Sequence, residues 1–80
     1  MNQPSIPAET ASHVLFHYGR GGYQAGSFTE HLIKTIDMAD PDNRDLLALA
    51  FPDYVAAVIA IQYDRDGVAQ LQAIASGVAA

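Results

Sequence analysis

Eight residues, Gly19 to Gly26, hold four of the chain's six glycines. Glycine loses more backbone freedom on folding than any other residue, so such a cluster marks turns that need positive φ or a close backbone approach. It also divides the chain, because no regular element runs through it. Upstream, Gly19 is placed to end a helix in the left-handed conformation. Downstream, Ser27 with Glu30 three residues on forms an S-x-x-E capping box, and Phe28 begins an apolar stripe. The stretch predicts helix, loop, helix. A phosphate cradle is the chemical alternative, since glycine amides, Arg20 and a helix start can hold an anion. The spacing argues against it. Gly19-Arg20-Gly21-Gly22 is not G-x-x-x-x-G-K-[ST], and no strand precedes it as a dinucleotide fingerprint requires.

The rest of the chain is cut by the same kind of punctuation. Residues 1–7 carry two prolines and no periodicity, and read as a loose arm. A first helix is expected over Ala8–Tyr18, with Ala11, Val14, Leu15 and Tyr18 on its apolar stripe. A second should run from Phe28 to Ala39, burying Phe28, Leu32, Ile33 and Ile36, with Glu30 and Lys34 as an i,i+4 ion pair. Asp40 then caps and Pro41 opens a third helix, Pro41–Ala50, carrying Leu46, Leu47 and Leu49. Phe51-Pro52 ends it, because the residue before proline is pushed out of the α region. The fourth helix, Pro52–Tyr63, has almost no polar face, and a helix apolar all round is a buried one. Asp64-Arg65-Asp66 breaks the chain again, with Asp66 capping a fifth helix, Gly67–Ser76. One bent helix over 52–76 is the alternative, since a single glycine costs only about 1 kcal/mol. The expectation is an all-α, compact bundle of four to five short helices: an arm over 1–7, one helical domain over 8–76, and a frayed end over 77–80.

Composition narrows the function classes. Half of the 80 residues are hydrophobic, which excludes a disordered tail, yet a core of this size often leans on a second subunit. There is no cysteine, so thiolate metal sites and disulfides are out, in keeping with a reducing cytoplasm. The net charge is −5, and the basic residues Arg20, Lys34, Arg44 and Arg65 are scattered, a poor match to nucleic acid. No stretch is apolar for long enough to span a bilayer, and the N-terminus lacks the pattern of a signal peptide.

Two constellations invite a metal. His13 and His17, four apart, share a helix face, and His31 could join them in the fold. Two ligands do not make a site, and ordinary helix-surface histidines account for the spacing. Asp40, Asp42 and Asp45 suggest calcium, but the glycine and closing glutamate of an EF-hand loop are missing. No cofactor is expected. No serine or cysteine is paired with a base in a recognisable pattern, so the chain reads as a non-enzyme.

Tyr18-Gly19-x-Gly21-Gly22, Gly26-Ser27-Phe28-Thr29, Leu32-Ile33, Ala39-Asp40-x-x-Asn43 and Phe51-Pro52-x-Tyr54-Val55-Ala56-Ala57-Val58 together resemble small uncharacterised helical proteins of actinobacteria and their phages. The resemblance spans half to two-thirds of the chain. It implies a setting, a phage or prophage accessory protein in a bacterial host cytoplasm, and carries no catalytic residue.

The reading that follows is a non-enzymatic module that binds a host protein or a second copy of itself. Its candidate surface is the loop from Gly19 to Gly26, where Arg20, Tyr23 and Gln24 are flanked by His17 and Tyr18. Tyrosine and arginine are enriched at interface hot spots. The competing reading of the same loop is that Tyr18 and Tyr23 pack beneath it as core. Two other functions are weighed: a DNA-directed regulator using the second and third helices as a helix-turn-helix-like pair, and an acidic decoy of a nucleic-acid-binding protein. The third helix offers only Asn43 and Arg44 to DNA, against Asp42 and Asp45 and the capping Asp40.

Overall fold

Each break in the sequence becomes a break in the chain path. A computed structural model describes residues 5–77, and among these it has five helices and no strand: α1 (Ala8–His17), α2 (Ser27–Met38), α3 (Pro41–Ala50), α4 (Pro52–Tyr63) and α5 (Gly67–Ala75). The protein is an all-α bundle. The expected arm and frayed end fall largely outside the described residues; within them, Ile6 packs against the core just ahead of α1.

The helix ends show why the breaks fall where they do. Gly19 follows α1 at φ +72°, its N–H donates to Phe16, and the Arg20 N–H reaches back to Leu15. That pair of bonds is a Schellman ending, which satisfies carbonyls the last turn would otherwise leave open. At α3 the Asp40 carboxylate accepts the Asn43 N–H at 2.8 Å, and Pro41 takes the first helical position. The start of α2 departs from expectation. Gly26 is the N-cap, Ser27 is already helical, and no side chain caps the helix. Glu30 does not fold back onto the cap, and it does not pair with Lys34 either. It turns to His17 across the loop, at 3.2 Å. The capping-box reading fails because Glu30 finds a partner on another helix. Asp66 likewise makes no side-chain cap for α5; instead the Asp64 carboxylate accepts the Asp66 N–H, a local Asx-type turn.

Packing places α1 and α4 at the heart of the bundle. α4 touches each of the other four helices. α1 is the more deeply buried of the two: Thr10 through Leu15 are all buried, and its largest partner is α5. The largest fully buried side chains are Leu15, Ile33, Ile36, Leu71, Val14 and Val58, drawn from α1, α2, α5 and α4. Each contributes about 1.5–3 kcal/mol of apolar burial. Within one chain α4 is not enclosed on every side, which leaves the reading of it as half core and half subunit contact open. Val55, Ala57 and Val58 are buried, but Ile59 and Tyr63 are exposed along a cleft of about 740 Å³. α1, α2, α3 and α5 all pack on α4, and among the described residues no helix covers Ile59 and Tyr63.

Two glycines make close approaches possible. A Cβ on Gly67 would lie 1.8 Å from the Ala60 carbonyl oxygen, so only glycine lets α5 start against α4. Gly22, at φ +72°, lies against α1, where a Cβ would fall 2.1 Å from the Ser12 carbonyl oxygen. The loop therefore rests on the central helix.

Candidate interaction surface

The five residues singled out around the loop divide into two groups. His17 and Tyr18 belong to the architecture. His17 pairs with Glu30 of α2, both partners about four-fifths buried. The Tyr18 hydroxyl donates to Asp37 at 2.5 Å, and the same carboxylate oxygen accepts the Gln62 amide of α4 at 2.7 Å. One carboxylate thus ties α1, α2 and α4 together. Burial, reinforced by the bond to Asp37, pushes the Tyr18 phenol well above its ordinary range. The Tyr18 bond in turn holds the Asp37 carboxyl below its own. Arg20, Tyr23 and Gln24 are exposed, as expected of a contact surface. The Tyr23 ring nevertheless meets His13 edge-on at 5.3 Å, so one of its sides is anchored.

His13 and His17 do not act together. His13 is buried, with Nδ1 2.9 Å from the Tyr54 hydroxyl of α4 and its ring stacked on Tyr54. Burial raises the Tyr54 phenol, which therefore keeps its proton in the hydrogen bond it shares with Nδ1. One turn earlier the Thr10 hydroxyl donates to Asp53 at 2.7 Å. His31 bonds to the Ser27 carbonyl of its own helix. Among the described residues no group of three or more His, Asp or Glu side chains is placed to hold a metal ion. These polar residues fasten helices to one another.

A surface that sequence reasoning missed lies on α2 and α3. Phe28 (69%), Met38 (73%), Leu46 (63%) and Leu49 (83%) are all strongly exposed. The two helices are joined by Ala39-Asp40 alone and diverge around a groove of about 430 Å³, lined by Thr35, Met38, Asn43, Leu46, Leu47 and Ala50. Phe28, at the other end of α2, meets Phe51 with ring centroids 6.4 Å apart. The expectation that Phe28 is core is corrected: in the first turn of α2 it stands mostly in water beside Phe51. One signal was present in the sequence. Leu46, Leu47 and Leu49 spread around some 160° of a helix at 100° per residue, too wide for one buried face. Leu47 turns inward and the other two point out.

Charge around the groove is uneven. Asp42 and Asp45 stand one turn before Leu46 and Leu49 on the outer side of α3, and neither is in an ion pair among the described residues. Arg44 is folded back, donating to the Ala39 carbonyl at 3.2 Å with its guanidinium 5.4 Å over the Tyr63 ring. Lys34 and His31 lie on the opposite, α2 edge. The chain matches no protein-family model, no curated protein and no solved structure. Among the described residues, no helix is long and apolar enough to cross a membrane.

Proposed function

We propose that this protein is a non-enzymatic helical interaction module that works by binding another protein through the face formed by α2 and α3. The observation that carries the reading is the exposure of Phe28, Met38, Leu46 and Leu49 on two consecutive helices. Large apolar side chains gathered on one surface mark interaction sites, because leaving them in water is unfavourable. The α1–α2 loop extends that face. Tyr23 meets His13, itself stacked on Tyr54, while Phe28 meets Phe51, so both reach the first turn of α4. Arg20, Tyr23 and Gln24 then serve as its polar rim. The setting implied by the sequence resemblance makes the partner a host bacterial protein met by a phage or prophage product.

A helix-turn-helix role for α2 and α3 has less support. The outer side of α3 carries Asp42 and Asp45, and Arg44 is turned onto Tyr63. A decoy of a nucleic-acid-binding protein would want denser acid than a net charge of −5 over 80 residues. Self-association is the second reading, favoured by the open side of α4, where Ile6, Ile59 and Tyr63 line the larger cleft.

The test is capture from host lysate with three forms of the protein. Met38→Asp with Leu49→Asp should abolish recovery of the partner while the melting temperature holds. Arg20→Ala with Tyr23→Ala should weaken recovery. Recovery that is indifferent to both pairs removes the reading.

A further inference from the structure

We propose that the cleft beside α4 is a binding site for a small neutral amphiphile, a molecule with an aliphatic chain and one uncharged head of the amide type. The inference is separate from the interaction reading of α2 and α3, and it competes with self-association for the same cleft.

The apolar lining selects a small guest with a chain. α4 contributes Val55, Ala56, Ile59 and Ala60, an unbroken apolar strip. Ile6 joins it from the segment before α1, Ala48 from α3 and Gln70 from α5. A lining drawn from four parts of the chain is concave, and its volume of about 740 Å³ falls within the roughly 300–1,000 Å³ of small-molecule sites. Ile59, in the middle of the strip, is exposed, so among the described residues nothing of the chain covers it. A second copy would meet the cleft through the same patch, and two concave patches face to face leave both strips uncovered. From Pro52 to Tyr63 the lining follows α4 for roughly 16 Å at 1.5 Å per residue, a length that suits an extended chain. Each methylene taken out of water along it favours binding.

The polar lining selects the head. Three of its four polar residues, Tyr63, Asp64 and Arg65, follow one another at the C-terminal end of α4. The strip therefore runs into a polar end that holds one carboxylate and one guanidinium. Neither is in an ion pair among the described residues. The Asp64 carboxylate is fixed in its turn by the Asp66 N–H at 3.1 Å. An anionic head would gain Arg65 and meet Asp64, and a cationic head would do the reverse. Either would also give up hydration that an apolar strip does not replace. A carboxamide avoids both costs. Its N–H donates to Asp64, which only accepts, and its carbonyl accepts from Arg65, which only donates. Gln70 can serve either half of the same head.

Octanamide, octanoate and octylammonium share one chain and differ in the charge of the head, and they test the proposal. Titrated calorimetrically into the full chain at neutral pH, octanamide should bind at least about fivefold more tightly than either charged twin. Amide chemical shifts should change from Val55 to Arg65 and at Gln70. Ala56→Leu, which fills the strip, and Ile59→Ser, which makes it polar, should each remove binding of all three with helical circular dichroism unchanged. The two ends of the head are tested apart. Asp64→Asn keeps an acceptor for the Asp66 N–H and should turn the preference toward octanoate. Arg65→Gln should turn it toward octylammonium. A preference that neither substitution moves would overturn the proposal, as would shift changes centred on Met38 and Leu46. Binding of none of the three at millimolar concentration would overturn it as well. In that event a two-chain mass that falls to one chain on Ile59→Ser assigns the cleft to a second copy. Binding that appears only once residues 1–4 are removed assigns it to the chain's own N-terminal segment. None of these results bears on partner capture through Met38 and Leu49, so the interaction reading stands or falls by its own test.

Discussion

Tyr18 offers the sharpest residue-scale test, because its hydroxyl and the Asp37 carboxylate shift each other in opposite directions. Asp37 is held below its ordinary value, so its contribution is present above the usual carboxylate range near pH 4 and is lost as pH falls through the lower, folded value. Tyr18 is raised, so its contribution is present below about pH 10 and is lost as pH rises beyond it. Tyr18→Phe should therefore cost about 1–2 kcal/mol near neutrality, the worth of a partly buried hydrogen bond to a charged group. The gap between wild type and variant should narrow at both pH 3 and pH 11. Urea unfolding at the three pH values measures it. This clasp could not be read from the sequence. Tyr18 caps the end of α1 while Asp37 and Gln62 sit on α2 and α4, and nothing local in any of the three points to the other two. The same holds for Thr10 with Asp53 and His13 with Tyr54, which let two polar residues of α1 occupy buried positions. Read alone, those residues look like a solvated face.

At the scale of elements, the two helix starts that the sequence treats alike should respond differently. Asp40→Ala removes a real cap and should cost about 1 kcal/mol. Ser27→Ala, at an exposed position already inside α2, should change the urea midpoint by less than about 0.5 kcal/mol equivalent. Gly67→Ala is the severe substitution: its Cβ would have to displace the Ala60 carbonyl, an overpacking that costs about 1–3 kcal/mol, read as a lowered melting temperature. The ends of all five helices fall within one residue of where prolines, glycines and aspartates placed them. Those residues act through their own backbone preferences, so their effect is local and legible. Exposure was legible for Arg20 and Gln24, which sit among glycines with no periodicity to bury them; Tyr23 was open to a packed reading, and its ring is exposed yet set against His13. The outward leucines of α3 were not, because which side of a helix meets water depends on what the rest of the chain has to cover it.

For the whole molecule, the open side of α4 makes its own prediction. If Ile6, Ile59 and Tyr63 meet a second copy, sedimentation equilibrium at tens of micromolar gives a mass above 8.5 kDa, and Ile59→Asp restores 8.5 kDa without loss of helicity. A wild-type mass of 8.5 kDa across that range rejects self-association. The pairing of α1 with α5 has a consequence for how the chain is made. α1 leaves the ribosome well before its largest partner, with some 50 residues between them. At about 5–20 residues per second, Val14 and Leu15 wait roughly 3–10 s for Leu71. A nascent chain thus carries an uncovered α1 while α2 to α4 are made, and a transcript cut short after α4 would yield a product that stays in that condition.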